Sequence, residues 1–335
     1  MKKKLPLMFL FFILIMISCK DLVVTEPESN LNVADFEASW KRIKDVYPYL
    51  EFKKINWDSI YTIYRPRAEQ AKGDDFYFVL RDLLAELKDG HVYYRTNGGG
   101  EVYPYYPQRH FKDRHAYSPF VVRKYFDKEL RLTGSKTVEY EILPGNIGYA
   151  FLSDFHEDYL IREFPGVLEY LKNTKGLILD IRQKRGGDYK NIEAVITRFL
   201  TQPLVRNVAY TYGVKWNLPP FQPQGPFQYT NPVVVLINGS TFSAGEFTTE
   251  ILKQLPNVTA VGDTTGGGSV GGGDEGLFFL PSGKSFEVGF IDIRRYDGLP
   301  WEWLGVAPDI RVEQTEADIL AGKDNQLEYA IEMLK

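Results

Sequence analysis

The feature that most constrains the fold is an alternation of short apolar runs with helical patterns from residue 143 onward. The apolar runs cover 147–152, 177–181, 233–237 and 258–261, and each has the length and composition of a buried strand. Helical patterns fit between them at about 157–172, 189–201 and 243–255. This alternation predicts a mixed α/β fold in which 143–335 forms a layered core around a partly parallel sheet.

Three amphipathic patterns precede this region. Apolar residues recur at helical spacing within 36–46, 57–64 and 76–87. The third pattern is the clearest, and Gly90 provides a stop signal just beyond it. Together they predict an N-terminal helical domain over 33–94.

The segment 95–142 is the least regular part of the chain and is rich in Tyr and Pro. Within it, the run FVVRKYF-DK-ELRLTG at 120–134 has the pattern of two short strands around a polar turn. It therefore predicts a short β-hairpin inside an otherwise irregular insert.

The N-terminus has the composition of an export signal. Three lysines at 2–4 precede an apolar run at 5–17, which is too short to span a bilayer comfortably. Ser18 and Cys19 follow, and this arrangement resembles a bacterial lipobox, although Met16 replaces the usual Leu. The resemblance implies a signal peptide over 1–18, lipidation of Cys19 and a polar tether over 19–32. We expect a cell-envelope protein held on a bacterial membrane, with its folded part outside the cytoplasm.

Charge argues against one class of partner. The formal net charge is −4, and the Lys and Arg residues are scattered rather than gathered into a basic block. Nucleic-acid binding is therefore not expected.

Three hydroxyl residues stand where the third apolar run leads into a helix, in the sequence NGSTFSAGEF. They are Ser240, Thr241 and Ser243. A serine at a strand-to-helix turn is exposed for nucleophilic attack, and the free amides of the first helical turn can stabilise an oxyanion. Ser and Thr are also common helix N-caps, so the local sequence leaves both the role and the choice among the three open.

A glycine pair follows the second apolar run, in the sequence GLILDIRQKRGGDY. Gly186 and Gly187 allow backbone amides to point into a cleft, as an oxyanion hole requires. Taken alone, the pair is equally compatible with an ordinary tight turn before a helix.

His91 closes the sequence Lys88-Asp89-Gly90-His91 and is one of four histidines in the chain. A single histidine is more often structural than catalytic. Glu302 lies between two tryptophans, where burial would raise its pKa and a histidine partner would keep it ionised. The alternative for Glu302 is a surface carboxylate on a loop.

The glycine-rich stretch 262–276 could suggest a nucleotide-binding loop. Such a loop needs a helix after it, whereas LFFLPSGKSFEV at 277–288 has the pattern of strand, turn and strand. A glycine-rich wall beside an active site is the better interpretation.

In their order and spacing, these motifs resemble the S41 family of serine peptidases, the tail-specific or C-terminal processing proteases. The similarity is greatest to the branch that contains tricorn core protease and the retinol-binding interphotoreceptor modules. The motifs are DGH at 89–91, GLILDIR with GG at 176–187, VVVLINGSTFSAGE at 233–246, VGDTTGGG at 261–268 and WEWLGVAPDI at 301–310. The resemblance implies a layered α/β core of the ClpP and crotonase type.

The resemblance also implies roles for individual residues. The family nucleophile falls on Ser243, and its oxyanion donors fall on the amide of Ala244 and on Gly186 or Gly187. One large branch uses a lysine base twenty-five residues after the serine. That position is Gly268 here, so the Ser–Lys dyad is not expected.

The tricorn-like branch instead uses a histidine base with a glutamate, and these fall on His91 and Glu302. The serine that precedes the histidine in tricorn is Gly90 here. The implied mechanism is acyl transfer, in which His91 takes the proton of Ser243 and Glu302 orients the imidazole. It requires no metal ion and no organic cofactor.

We therefore expect a cell-envelope serine endopeptidase that acts on polypeptides. Many relatives carry a PDZ module of about 90 residues that captures substrate C-termini, but the insert here is about half as long. The Tyr-rich stretch 101–120 is expected to line a groove for extended peptides instead. Two alternatives stay open: a catalytically inactive scaffold that binds an apolar or peptide ligand, and an esterase with the same triad. The sequence leaves the oligomeric state undetermined.

Overall fold

The computed structural model describes residues 28–183 and 186–335. The expected signal peptide at 1–18, the lipidation site Cys19 and most of the tether lie outside these residues. The first helix begins at Glu28, so the tether predicted to run to residue 32 is already helical over its last residues. Within the described residues, no helix combines the length and the apolar character needed to cross a bilayer.

The helices, in chain order, are α1 (Glu28–Val46), α2 (Trp57–Gln70), α3 (Phe76–Ala85), α4 (Gln108–Arg114), α5 (Pro119–Val122), α6 (Tyr159–Leu171), α7 (Tyr189–Ile196), α8 (Ala244–Leu252), α9 (Glu316–Leu320) and α10 (Asn325–Met333). The strands are β1 (Tyr93–Arg95), β2 (Glu101–Val102), β3 (Arg131–Leu132), β4 (Val138–Leu143), β5 (Ile147–Leu152), β6 (Gly176–Asp180), β7 (Val208–Thr211), β8 (Val214–Lys215), β9 (Val233–Ile237), β10 (Val258–Gly262), β11 (Val270–Gly271), β12 (Leu277–Phe279), β13 (Ser285–Glu287), β14 (Ile291–Arg294) and β15 (Ile310–Arg311).

The main sheet has the strand order β15-β10-β9-β6-β5-β4-β3. The first five strands in this order are parallel to one another, and β4 and β3 complete the edge in antiparallel orientation. Strands covered on both faces have continuous apolar sequences, which is why the four apolar runs could be assigned as strands. The expected mixed α/β fold with a layered core is confirmed.

Alternate residues of the central strands face opposite layers. Leu179 and Val235 pack into a core with α6, α7 and α8, whereas Ile178 and Val234 pack with α10 and the end of α5. The sheet is thus buried between two apolar layers. This burial fixes the register of its strands, because a shift by one residue would reverse every side chain.

The N-terminal helices pack against a second, antiparallel sheet. Helices α1, α2 and α3 share a core with an antiparallel sheet of order β12-β13-β1-β2. Strands β1 and β2 directly follow these helices in the sequence, whereas β12 and β13 come from residues 277–287. Phe36 and Leu83 from the helices pack with Phe286 from β13. Strand β13 pairs with β1 across the boundary expected between 33–94 and 143–335, and the division into these two domains stays a prediction.

The predicted hairpin at 120–134 is also partly wrong. Its first arm is the short helix α5 and a 3-10 turn, and its second arm contains β3, which pairs with β4 at the edge of the main sheet. Pro119 has the fixed φ that suits a first helical turn, and Val121 and Val122 are buried. Helical burial thus prevailed over the strand propensity of the run.

The carboxyl ends of the parallel strands position the site. Strand β6 ends at Asp180, a few residues before the Gly186–Gly187 pair, and β9 ends at Ile237, six residues before Ser243. Ligand sites in open α/β sheets lie at this edge.

Arg182 holds this edge together from within. Its guanidinium is fully buried and donates to both carboxylate oxygens of Asp180, to Asp324 at 2.8 Å and to Gln326 at 3.2 Å. The network joins the end of β6 to the start of α10.

Replacement of this buried cation should be costly. We expect Arg182→Met to lower the free energy of unfolding by about 3–5 kcal/mol, because two buried carboxylates lose their partner. The matched control is Arg123→Met, whose ion pair with Glu139 is largely exposed and contributes less than about 1 kcal/mol. Urea unfolding of both variants measures the difference, and equal losses would contradict this account of the network.

Candidate functional site

Ser243 directly precedes helix α8 in a conformation that few residues adopt. Its φ of 51° and ψ of −116° lie outside the favoured regions for a residue with a side chain. Such strain persists only where the surroundings impose it, and it is common at active-site turns. Ser243 is half-buried, and the amide of Ala244 belongs to the first helical turn, whose N–H groups have no partner within the helix.

The other two hydroxyl residues are engaged in the backbone. Thr241 is fully buried and donates to the carbonyl of Ile181 at 3.1 Å, while it accepts from the amide of Asn238. Ser240 is fully buried, and its hydroxyl lies 3.4 Å from the carbonyl of His110. Both hold the turn in shape, which leaves Ser243 as the hydroxyl residue that reaches the surface.

The glycine pair lies beside Ser243. Gly186 and Gly187 have φ values of 153° and 141°, which favour glycine. A β-carbon on Gly186 would lie 3.6 Å from the hydroxyl oxygen of Ser243. A β-carbon on Gly187 would overlap the backbone of Phe155 at 2.3 Å, so this position accepts no side chain.

Glu246 is the carboxylate that shapes the turn, and the sequence analysis did not single it out. It is completely buried in the first turn of α8 and accepts four hydrogen bonds. The donors are the amide of Ser243 at 3.0 Å, the hydroxyl of Thr265 at 2.5 Å and the amides of Gly267 and Gly268, both at 2.8 Å. Burial raises the pKa of Glu246 and the four donors lower it. Burial outweighs the donors, and the pKa is about 7. One side chain therefore ties the strained serine to the glycine-rich wall.

The imidazole of His91 lies against the same wall. Its ring stacks on Phe242 with a centroid separation of 4.5 Å, and a β-carbon on Gly268 would approach its Cε1 to 2.7 Å. Among the described residues, neither ring nitrogen has a hydrogen-bond partner. The structure thus stacks His91 on the residue directly before Ser243, with no hydrogen bond between His91 and Ser243.

Asp89, rather than Glu302, is the carboxylate in contact with His91. Its Oδ1 accepts from the backbone amide of His91 at 2.8 Å and lies 3.5 Å from the ring Nδ1. Its Oδ2 accepts from Tyr47 at 2.6 Å and lies 3.6 Å from the ammonium of Lys53. Asp89 thus contacts His91, Tyr47 and Lys53, all of which lie in the first 91 residues of the chain.

Glu302 pairs with a lysine instead of the expected histidine. Its Oε1 lies 2.7 Å from Nζ of the buried Lys53, and its Oε2 accepts from the amide of Ser269 at 2.8 Å. No described residue pair places Glu302 in hydrogen-bond contact with His91. The expected burial of Glu302 is observed, since this residue is 1% exposed. Its pairing with Lys53 was not expected from the sequence.

The charges in this cluster oppose one another. Burial and then the charge of Asp89 raise the pKa of Glu302, and Lys53 offsets part of the shift. Burial also opposes ionisation of Asp89, but Lys53 and His91 outweigh it and hold its pKa well below its ordinary value. For His91, burial disfavours the charged ring, yet Asp89 outweighs burial and raises the pKa above the ordinary value of about 6.5.

The wall also explains the missing lysine of the dyad branch. A β-carbon on Gly268 would lie 2.1 Å from the ring of Phe242 and 2.7 Å from that of His91. A lysine at position 268 would therefore clash with both rings as they stand.

A cavity of about 240 Å³ opens next to these residues. Gly90, one residue before His91, and the wall glycines Gly266 and Gly267 form part of its lining. The remaining lining residues are Lys88, Tyr105, Pro107, Gln108, Arg109 and Trp303. Part of the Tyr-rich stretch thus borders the site.

Comparison with known proteins agrees with this geometry. Residues 146–312 match Peptidase family S41, and residues 33–85 match the Tricorn protease C1 domain. The chain belongs to peptidase family S41. Both matches fall where the sequence analysis found the resemblance, which is confirmed.

The S41 relatives differ in length from this chain. The carboxy-terminal processing protease CtpA of Bacillus subtilis is 28% identical over 185 residues, which are 53% of this chain and 37% of that protein. Tricorn protease homolog 1 of Streptomyces coelicolor is 28% identical over 204 residues, 56% of this chain and 16% of that one. The chain thus matches well under half the length of these curated relatives.

A solved S41-like structure covers nearly the whole fold. The crystal structure of a candidate peptidase from Parabacteroides merdae superposes with a TM-score of 0.77 and 26% identity, and the match covers 92% of this chain and 97% of that one. The described architecture is therefore shared along almost its full length.

Glu246 and Glu250, one turn apart on α8, provide a matched test of the turn. Glu246 has four donors, whereas Oε2 of the buried Glu250 has no partner among the described residues. We expect Glu246→Gln to lower the free energy of unfolding by about 2–4 kcal/mol, because an amide cannot accept from all four donors. Glu250→Gln should cost less than about 1 kcal/mol. Chemical unfolding at pH 8 measures both, and equal costs would argue against a special role for Glu246.

The pH dependence of stability tests the environment of Glu250. Burial raises its pKa to about 7, above the ordinary value of about 4.3, so the folded state holds this proton more tightly than the unfolded state. The resulting stability is present below pH 4 and is lost as the pH rises through 7. We expect Glu250→Gln to reduce the fall in stability between pH 5 and 8, as unfolding at stepped pH would show. An unchanged pH profile would contradict the assignment.

The charge state of His91 can be followed directly. We expect its imidazole to titrate above pH 6.5 in NMR spectra of the labelled protein, and Asp89→Asn to lower that midpoint because the neighbouring carboxylate is lost. Asp154→Asn, which removes a carboxylate next to His156, is the matched control and should leave the His91 midpoint unchanged. A His91 midpoint that ignores Asp89→Asn would show that Asp89 does not set its charge.

Proposed function

We propose that this S41 chain is a serine endopeptidase that hydrolyses polypeptides, with Ser243 as nucleophile and His91 as general base. One observation carries the proposal: the strained Ser243 directly follows Phe242, and the half-buried imidazole of His91 stacks on the ring of Phe242. Both ring nitrogens of His91 are buried and have no hydrogen-bond partner among the described residues. A buried polar group without a partner calls for an explanation. Proton exchange with Ser243 during the reaction supplies one.

The proposed reaction has two acyl-transfer steps. His91 takes the proton of the Ser243 hydroxyl as the oxygen attacks the scissile carbonyl carbon, and then gives it to the leaving amine. The acyl-enzyme forms as the C–N bond breaks. Water, deprotonated by His91, then releases the acid and restores Ser243.

The developing oxyanion needs donors at the same turn. The amide of Ala244 is free of the helix ladder, and the glycine pair lies beside the Ser243 side chain. We assign the oxyanion hole to the Ala244 amide together with Gly187 or Gly186, because only glycine fits their backbone conformation against Phe155.

His91 must move before it can act. Its ring stacks on Phe242 and makes no hydrogen bond to Ser243. In free enzymes such contacts are often long and tighten only when substrate binds. The proposal therefore includes a rotation of the Phe242 and His91 rings, driven by a peptide that displaces the phenyl group.

The proposal assigns the two carboxylates different tasks. Asp89 faces the ring of His91 and would stabilise the imidazolium. Glu302 would act on His91 only indirectly, because its own contacts are with Lys53 and the amide of Ser269. This division departs from the Ser–His–Glu arrangement expected from the family, in which Glu302 itself would orient the base.

The expected location belongs to the same proposal. Export and lipidation at Cys19 would place the peptidase in the cell envelope, and the support for this is the sequence at 2–19. Metabolic labelling of the full chain with an alkyne-tagged palmitate tests it. Label in wild type that is lost in Cys19→Ser is expected, and an unlabelled, exported wild type would exclude the lipid.

Reaction with a fluorophosphonate probe, alongside hydrolysis of fluorescent casein, tests the catalytic assignment. We expect wild type to label and to cleave, and Ser243→Ala and His91→Ala to lose about three to six orders of magnitude in turnover. His156→Ala is the control, because that side chain is 65% exposed and pairs with Asp154. It should retain full activity.

Two results would decide against the proposal. Labelling that persists in Ser243→Ala would place the nucleophile elsewhere. A folded wild type that neither labels nor cleaves would favour a binding protein on a peptidase scaffold.

A further inference from the structure

The cavity beside His91 has an unusual charge balance. Two of its lining residues, Lys88 and Arg109, are cationic, and none is acidic. Among the described residues, neither cation has a carboxylate within ion-pair distance. The cavity wall therefore presents two cations that form no ion pair with a described carboxylate.

Other cations near the site are paired. Lys53 pairs with Glu302 at 2.7 Å, and Lys112, three residues after Arg109, pairs with Asp263 at 3.2 Å. Arg182 is matched by two carboxylates. The lack of an acidic partner is thus a property of the cavity and not of this region as a whole.

Arg109 is held in place without being neutralised. Its Nη1 donates to the carbonyl oxygens of Thr265, Trp303 and Leu304, at 3.2, 3.1 and 2.9 Å. These carbonyls orient the guanidinium at the cavity wall but leave its net charge. A guanidinium in a fixed orientation is well suited to bind a carboxylate.

Lys88 is fixed at its backbone. It adopts a φ of 47°, and its carbonyl accepts from the indole of Trp303 at 3.0 Å and lies 3.3 Å from Nζ of Lys53. Its side chain is exposed at the cavity. The cavity is therefore lined by one exposed cation, Lys88, and by one cation that hydrogen bonds hold in place, Arg109.

The cavity borders the residues proposed for catalysis. Gly90 and Gly266 line it, and a β-carbon on either would lie within 2.9 Å of the ring of Phe242, which directly precedes Ser243. At about 240 Å³ it is smaller than the ~300–1,000 Å³ of typical small-molecule sites. It suits one amino-acid side chain or a chain terminus next to a scissile bond.

We infer that this cavity is a substrate subsite for a carboxylate, held by Lys88 and Arg109 while the peptide lies across Ser243. The inference rests on the proposed peptidase function and specifies its substrate class. The carboxylate is that of an Asp or Glu side chain, and capture of the peptide C-terminus, already expected of C-terminal processing relatives, is the competing outcome. Both have the same charge and donor requirements, so the experiment separates them.

Peptide binding to the Ser243→Ala variant measures the subsite without hydrolysis. The probes are N-acetyl pentapeptides of alanine with glutamate or glutamine at one position at a time, each made as the free acid and as the amide. We expect a carboxylate to tighten binding about tenfold. A gain that depends on glutamate supports the side-chain subsite. A gain that depends only on the free acid would overturn it in favour of C-terminal recognition.

Charge variants then locate the effect. Lys88→Gln should abolish most of the preference, Lys88→Arg should retain it, and Lys88→Glu should reverse it in favour of lysine-containing peptides. Lys112→Gln is the matched control, because it removes one positive charge from α4 outside the cavity and should keep the preference. Lys88 is the better residue to vary, since Arg109 also holds three carbonyls.

Each outcome has a defined meaning. Equal binding of charged and neutral peptides, no binding of either, or a preference that survives in Lys88→Gln would overturn the subsite. A carboxylate preference in binding, with a wild type that cleaves neither peptides nor casein, would support the subsite and reject the peptidase function. The two proposals can therefore fail independently.

Discussion

The site depends on two buried carboxylates that hold one glycine-rich wall. Glu246 accepts from the amides of Ser243, Gly267 and Gly268, and Glu302 accepts from the amide of the next residue, Ser269. Lys53 neutralises Glu302 and lies 3.6 Å from Asp89, which faces His91. A chain of buried polar contacts thus runs from the serine turn to the imidazole. In a low-dielectric interior such a network is stable only when its members are satisfied, so it holds the wall in place between Ser243 and His91.

This network also relates the chain to the two mechanisms of its family. The wall has glycine at 268, where the dyad branch carries lysine, and the rings of Phe242 and His91 occupy the space that a side chain there would need. A lysine at position 268 would therefore clash with the His91 ring in its present position, so the two side chains cannot both occupy this space. Lys53 is buried nearby, but it pairs with Glu302 and lies close to Asp89, so its charge stabilises these two carboxylates.

The sequence predicted what local pattern determines. Strands such as β5 and β9 were assigned to the residue because both are continuous apolar runs, and the motif order identified the family. The partner of Glu302 could not be predicted, because Lys53 is distant in sequence and only the tertiary fold brings it close. Two other contacts do have a local signal in the sequence. Asp89 stands two residues before His91, which it contacts, and Ser243 and Glu246 have the S-x-x-E spacing of a capping box. The strand predicted at the start of 120–134 is instead part of helix α5, because burial of Val121 and Val122 outweighs their strand propensity.

The most direct test of the central claim is a crystal structure of the protein after reaction with diisopropyl fluorophosphate. The account predicts phosphorus bonded to Oγ of Ser243 and its free oxygen at the amides of Ala244 and the glycine pair. It also predicts that the His91 ring has turned from Phe242 to within hydrogen-bond distance of the adduct. An adduct on another residue, or one on Ser243 served by Lys53 while His91 stays stacked, would contradict it.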